Sequence, residues 1–162
     1  GISIFLVIKH TTLPSVSILG RTPNGRWRDI GVVKEAEMFP GILVIRIDES
    51  LYFGNIEQLV KMINRIVSLG SIHAHPTDQT THTVAITGLI VDARNIHNID
   101  ANALTVLKDF FEDYHRKGIE ICFAHLRDKH IRNLYKGGLT KLITIEHFHM
   151  TVNSALLFLQ DK

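Results

Sequence analysis

Several features that mark particular protein classes are scarce in this sequence. Its 162 residues include one cysteine, Cys122, which excludes an internal disulfide and fits a reducing compartment. The 18 basic and 16 acidic residues form no basic block, so we expect no nucleic acid partner. No run approaches the roughly 20 apolar residues that span a bilayer. The composition, 45% hydrophobic and 21% charged, is that of an ordinary globular domain.

Motifs of the common enzyme classes are also missing. The sequence has no Walker A motif, no G-x-G-x-x-G and no G-x-S-x-G, so we expect neither an enzyme nor a bound cofactor. Two His-x-His pairs, His73 with His75 and His147 with His149, lack the further ligands of a complete zinc site, and no metal is predicted. A hydrolytic or metal-dependent enzyme stays an alternative, because the side chains of such a site can be distant in sequence and converge only in the folded chain.

From residue 42 onward, apolar runs typical of strands alternate with apolar residues at helical spacing. Strands are predicted at 16–19, 42–47, 84–91, 119–124 and 142–145. Helices are predicted from Asn55 to Gly70, from Asp100 to Gly118, from Asp128 to Gly137 and across 152–159. This alternation predicts an α/β fold with a central mixed, mainly parallel sheet flanked by helices, in which the strand at 16–19 forms an antiparallel edge.

The useful surface of an open α/β sheet lies beyond the carboxyl ends of its strands. Segments 48–55, 92–102 and 125–128 follow predicted strands there. Asp48, Asp92 and Arg94 are candidates for binding an anion or a nucleotide. In the same region, Asn98 and Asp100 precede a predicted helix; the alternative is that they only form a turn and an N-cap.

Four stretches near the start share the pattern of one known family. They are Pro14–Arg21, Trp27–Ile30, Pro40–Asp48 and Leu51–Asn55. Together they resemble the STAS domain, the cytosolic C-terminal module of sulfate permease (SulP-type) anion transporters, which is shared with bacterial anti-sigma factor antagonists. The resemblance runs from about residue 13 to the end and implies a STAS-like layer with a central sheet flanked by helices.

The resemblance also implies a division of the chain and a role for it. Residues 1–12 would be the tail of a preceding membrane helix with its linker, and residues 13–162 the STAS domain on the cytoplasmic side. The role would be regulation and protein contact, with the membrane domain of its own transporter and a second copy in a homodimer as partners. The parent protein would carry sulfate or a related anion. The candidate contact residues are Trp27, Arg28, Asn98, Asp100, Asn102 and Thr105.

One departure from the family pattern concerns phosphorylation. Antagonist-type STAS domains accept phosphate on a serine in an Asp-Ser-Ser-Gly turn, and the matching turn here keeps Asp100 but has Ala101 and Asn102. Neither side chain has a hydroxyl, so the phosphoacceptor position is lost. Thr105 lies one turn further on, where it would need a different geometry. A stand-alone STAS-type protein that responds to a nucleotide or an anion stays open as the alternative function.

Overall fold

The computed structural model describes residues 15–69, 84–138 and 142–162. The strands in these ranges are β1 Val16–Arg21, β2 Trp27–Asp29, β3 Ile42–Ile47, β4 Gly88–Asp92, β5 Glu120–Ala124 and β6 Phe148–His149. The helices are α1 Ile56–Leu69, α2 Ala101–Arg116, α3 Asp128–Lys136 and α4 Val152–Gln160, with a 3₁₀ turn at Ile145–His147. None of these four helices combines the length and apolarity needed to traverse a bilayer.

The six strands form one mixed sheet in the order β2-β1-β3-β4-β5-β6. Strand β1 pairs antiparallel with both β2 and β3, whereas the ladders from β3 to β6 are parallel. The predicted α/β fold with a mixed, mainly parallel sheet flanked by helices is therefore confirmed.

Alternating side chains of the central strands divide the core between the two faces of the sheet. On one face, Leu89 and Val91 of β4 pack in a cluster with residues of α1, α2 and α3. On the other face, Ile90 of β4 and Cys122 of β5 pack against α4. Both faces are covered, which explains why β4 is apolar without alternation.

The prediction that the strand at 16–19 forms the sheet edge was wrong. A turn containing Gly25, at φ 83°, reverses the chain after β1, and β2 then pairs with β1 from Leu19↔Asp29 to Arg21↔Trp27. The short strand β2 is the edge, and β1 lies between β2 and β3. Three residues carry too little alternation to be recognised as a strand.

Two further strand predictions were also wrong, one in its first residue and one in the existence of the strand. The strand predicted at 84–91 begins only at Gly88, because its parallel partner β3 begins at the facing residue, Ile42. The strand predicted at 142–145 is absent; that segment leads into the 3₁₀ turn, and pairing with β5 begins at Phe148. In both cases the partner strand decides where a ladder can form.

The helix predictions agree more closely with the structure. Asp100 caps α2 as predicted, with its side chain accepting from the amide of Ala103. Asn55 does not form the predicted capping box; its amide group binds back to the loop, at the Ser50 carbonyl and the Tyr52 amide. Gly70, the predicted helix end, the pair His73 and His75, and residues 1–12 lie outside the described ranges.

Candidate functional site

The loop after β3 and the segment before α2 are joined by backbone hydrogen bonds. The Leu51 amide donates to the Asn98 carbonyl at 2.9 Å, and the Asp100 amide donates to the Leu51 carbonyl at 3.0 Å. The Asn98 amide donates to the Ser50 hydroxyl at 3.2 Å. These bonds extend the β3–β4 pairing beyond the sheet, so the two loops form one surface at the carboxyl end of the strands.

The Asp100 carboxylate ties this surface to α2. One of its oxygens accepts from the Ala103 amide at 2.8 Å, and the other accepts from the Phe53 amide at 3.1 Å. The first bond satisfies an amide at the helix start that has no partner within the helix. The second holds the loop with Phe53 against the same helix end.

The residues around this helix end are exposed. The Phe53 side chain is 77% exposed and that of Tyr52 51%. We name six residues the α2 docking surface, after the role proposed for them below: Tyr52, Phe53, Asn98, Asp100, Asn102 and Thr105. The structure thus brings together the four polar residues predicted on this part of the chain. It adds two aromatic residues that the sequence analysis assigned no role.

Tyr52 and Phe53 could not be placed at the surface from sequence. Two aromatic residues after a buried strand and before an amphipathic helix are as typical of a core as of a surface. The one available signal is the following Gly54-Asn55, a turn pair that predicts a loop and not a continued strand.

The phosphoacceptor position lies on the α2 docking surface. Ala101 and Asn102 occupy the first turn of α2 and are exposed, and neither has a hydroxyl. The Thr105 hydroxyl is also exposed and donates to the Ala101 carbonyl at 3.2 Å, one helical turn back. The first turn of α2 therefore offers a polar surface and no hydroxyl at the position that, by the resemblance, is phosphorylated in antagonist-type STAS domains.

Trp27 and Arg28 lie on β2, at the edge of the sheet, and do not join the α2 docking surface. The Trp27 indole nitrogen donates to the Asn153 side-chain oxygen at 2.9 Å, and its ring lies 5.9 Å from that of Phe39. These contacts pack the half-buried Trp27 between the edge of the sheet and α4. Arg28 next to it is exposed, and within the described part of the chain its guanidinium donates to the Trp27 carbonyl.

The candidate anion or nucleotide residues form internal pairs. Asp48 accepts from the Arg46 guanidinium at 2.8 Å and from the Asn95 amide at 2.6 Å. The buried carboxylate of Asp92 pairs with the Arg94 guanidinium at 3.2 Å. Each charge already has a partner of opposite sign or a hydrogen-bond donor, so an incoming anion would compete with a carboxylate for the arginine.

Two arginine–histidine contacts join the loop after β4 to the loop after β5. Arg94 donates to Nε2 of His125 at 3.0 Å, and Arg127 donates to Nδ1 of His97 at 2.8 Å. A guanidinium has no acceptor, so in each contact the ring nitrogen is the acceptor. His125 adopts a left-handed backbone at φ 60°. The two contacts hold the loop after β4 against the loop after β5.

His130, on α3, contacts this pair of loops, and the sequence analysis missed it. The residue is 97% buried. Nε2 donates to the His97 carbonyl at 3.1 Å, and Nδ1 is buried with no hydrogen-bond partner among the described residues. Burial lowers the pKa of this imidazole.

The structure offers no metal centre within the described residues. No group of three or more His, Cys, Asp and Glu side chains there converges on a point. His147 and His149 both lie against the ring of Phe158, at 5.5 and 5.4 Å between ring centres. A cavity of about 390 Å³ lies at the opposite, amino end of the sheet, where it is lined by Asn64, Tyr114 and Lys117 among others.

Comparison with known proteins supports the family resemblance. The family model for the STAS domain matches residues 34–155. A curated relative, probable sulfate transporter 4.2 of Arabidopsis thaliana, is 28% identical over 157 residues, which are 96% of this chain and 23% of that protein. This chain therefore spans less than a quarter of the length of that relative.

Solved structures share the fold. The murine Solute Carrier 26 family member A9 anion transporter, in its inward-facing state, matches with a TM-score of 0.74 and 20% identity, over 99% of this chain and 24% of that one. The STAS domain of a SulP transporter from Vibrio cholerae matches with a TM-score of 0.55 and 15% identity, over 79% of this chain and 91% of that one. Both likenesses concern the fold alone.

Proposed function

Because this chain belongs to the STAS domain family, we propose that it is the cytosolic C-terminal domain of a membrane transporter for sulfate or a related anion. Within that protein it acts by contact and not by catalysis. The curated relatives are transporters, and they match nearly the whole chain while extending far beyond it. The site of transport then lies in the part of the protein outside these residues.

The observation that carries this proposal is the exposed Phe53 on a loop that Asp100 holds in place. Exposed apolar residues that adjoin one another mark interaction surfaces. Next to Tyr52, which is 51% exposed, the Phe53 side chain is 77% exposed. Its backbone is already fixed by the Asp100 bond, so docking it requires little further ordering. A rigid aromatic anchor surrounded by polar side chains is typical of the centre of a protein interface.

We infer two partners for the α2 docking surface: the membrane domain of the same polypeptide and the second copy in a homodimer. The membrane domain is linked covalently to this chain, so a modest contact area suffices there, because a tethered partner has a high effective concentration. The second copy would be held near by the dimer of the parent protein. The regulatory role follows from the same surface, since a change in docking would change the contacts that the membrane domain makes.

The alternative function, a stand-alone anion- or nucleotide-responsive protein, has less support. It depends on Asp48, Asp92 and Arg94, whose charges are already paired within the chain. The curated relatives that match the chain are transporters. Direct titration, described in the Discussion, separates the two functions.

The proposal is tested in the parent protein, expressed in cells that have no sulfate uptake of their own. We expect Phe53→Ser to lower uptake several-fold at equal surface abundance, because it removes the aromatic anchor. Val32→Ser is the matched control, since Val32 is 78% exposed in the connection between β2 and β3. Equal uptake by both variants, or a parent protein with no membrane-spanning region, would contradict the proposal.

A further inference from the structure

Helix α3 presents an excess of positive charge on its exposed side. Lys129, Arg132 and Lys136 are all exposed, and Arg127 directly precedes the helix. Along the part of the chain that the structure describes, none of these four groups lies within ion-pair distance of a carboxylate. The single acid of the helix, Asp128, is in its first turn.

Helix α2 shows that this lack of pairing is not general. There, Asp113 pairs with Arg116 at 3.6 Å and with Lys117 at 2.9 Å. The cations at the end of α2 are thus paired with an acid one turn earlier. In α3 the one acid, Asp128, stands four residues before Arg132 but forms no ion pair with it in the described part of the chain, and Lys129 and Lys136 have no acid three or four residues earlier. A helix whose exposed cations have no ion-pair partners presents a positive surface, which is suited to a negatively charged partner.

The three cations lie on one side of α3. Positions 129, 132 and 136 are three and four residues apart, which places them along a single stripe of the helix. His130 and Leu134 are buried on the opposite side and fix the rotation of the helix. The basic side therefore faces solvent as a consequence of packing and cannot turn inward.

This basic side lacks an apolar anchor. The exposed large hydrophobic residues of the described chain all lie on other elements, among them Tyr52 and Phe53 of the α2 docking surface. Protein interfaces are centred on buried aromatic or apolar residues. A flat surface of anionic headgroups needs charge alone, because it is bound without a shaped pocket.

We propose that the exposed basic side of α3 binds the anionic headgroups of a lipid bilayer. This inference rests on the proposed function, which keeps the domain within reach of a membrane. Each cation near an anionic surface strengthens binding about fivefold. Salt weakens this attraction, because ions screen it over a distance of about 10 Å at moderate ionic strength.

The test measures binding of the 162-residue chain to sedimented vesicles of two kinds. One kind is phosphatidylcholine alone, and the other contains phosphatidylserine as well. The α3 variant carries Lys129→Gln, Arg132→Gln and Lys136→Gln. The matched control carries Lys108→Gln, Arg116→Gln and Lys117→Gln, which removes the same number of lysines and arginines from exposed positions in α2 and directly after it. Thermal unfolding verifies that both variants are folded.

We expect the unaltered chain to bind phosphatidylserine vesicles in preference to phosphatidylcholine, and less at high salt. The α3 variant should lose roughly a hundredfold in that preference, since three cations contribute about fivefold each, while the α2 control keeps most of it. Binding through the apolar part of residues 1–12 would not depend on lipid charge. It would therefore produce no preference for phosphatidylserine over phosphatidylcholine.

Three outcomes would overturn the proposal. The first is equal binding to both kinds of vesicle, and the second is an equal loss in both variants, which would assign the effect to net charge. The third is release of the bound chain by inorganic phosphate or polyglutamate at matched ionic strength, which would point to a phosphate site or an acidic protein. None of these results bears on the sulfate uptake of the Phe53 variant, so the two proposals fail separately.

Discussion

The Asp100 carboxylate accepts a hydrogen bond from the backbone amide of Phe53, a residue 47 positions earlier in the chain. The same carboxylate caps α2 through the Ala103 amide. One side chain therefore positions both the aromatic loop and the helix start of the α2 docking surface.

Replacing Asp100 with alanine should lower the free energy of unfolding by about 1–2 kcal/mol, because an N-cap is lost. The amide of Phe53 should also exchange its hydrogen faster, since it loses its acceptor. Urea unfolding and hydrogen exchange measure the two effects. Asp109→Ala, at an exposed position within α2, should change neither. If the two variants are equally stable, Asp100 does not have the role assigned to it.

The free energy of unfolding should decrease as the pH drops below about 6.5, in part because of His130. Burial lowers the pKa of this imidazole in the folded chain below its usual value of 6.5. The unfolded chain then binds the proton more readily, so the stabilisation is complete above pH 6.5 and is lost as the pH falls toward the folded pKa. Burial also lowers the pKa of His149, so this imidazole contributes to the same pH dependence.

Denaturant midpoints measured between pH 5 and 8 test this dependence. We expect His130→Gln, whose amide can still donate to the His97 carbonyl, to flatten the decline. His115→Gln, at an exposed position on α2, should leave the decline as it is. An unchanged slope in the His130 variant would show that another group is responsible.

Cys122 should be unreactive in the folded chain. Its side chain is fully buried in β5, and burial together with the nearby Glu120 raises the pKa of the thiol to about 12. The thiolate that attacks disulfide reagents is then almost absent at pH 8. Titration with a chromogenic disulfide should detect no thiol in native protein and one per chain in urea. Fast labelling of native protein would contradict the burial of β5.

Removal of Arg94 should destabilise the chain more than removal of a surface cation. Asp92 is 99% buried, and without Arg94 its carboxylate would lose its ion pair. We expect Arg94→Ala to lower the free energy of unfolding by about 1–3 kcal/mol. Arg116→Ala, which breaks an exposed pair, should cost less than about 1 kcal/mol. Equal costs in urea unfolding would mean that the Asp92 pair adds nothing.

Calorimetric titration with sulfate and with nucleotides tests the alternative function. We expect no saturable heat, because Asp48, Asp92 and Arg94 are occupied by partners within the chain. Saturable binding that disappears in Arg94→Ala, with the fold intact by circular dichroism, would favour the anion- or nucleotide-responsive protein.

Most of the fold was predictable because its signals are local. The apolar run of β4, the helical spacing in α1 and the Asp100 cap each depend on residues close together in the chain. The errors concern pairing. Strand β2 and the start of β4 depend on where a partner strand begins, and that partner is distant in sequence.

The candidate site was predictable only in part. Asn98, Asp100, Asn102 and Thr105 stood out because they surround a helix start, and the structure keeps them together. The pairing of Asp92 with Arg94, which occupies the expected anion groups, depends on side-chain geometry that spacing does not reveal. The burial of His130 is similar, since a histidine at that position is equally compatible with either side of α3.

The sequence by itself determined the alternation of helices and central strands from β3 to β5, the family, and the loss of a hydroxyl at Ala101 and Asn102. These are properties of residue types and near neighbours. Only the tertiary structure decided that Phe53 is exposed beside Asp100 and that the cations of α3 have no acidic partner among the described residues. Exposure and ion pairing depend on which distant segments pack together, and the folded chain alone brings those segments into contact.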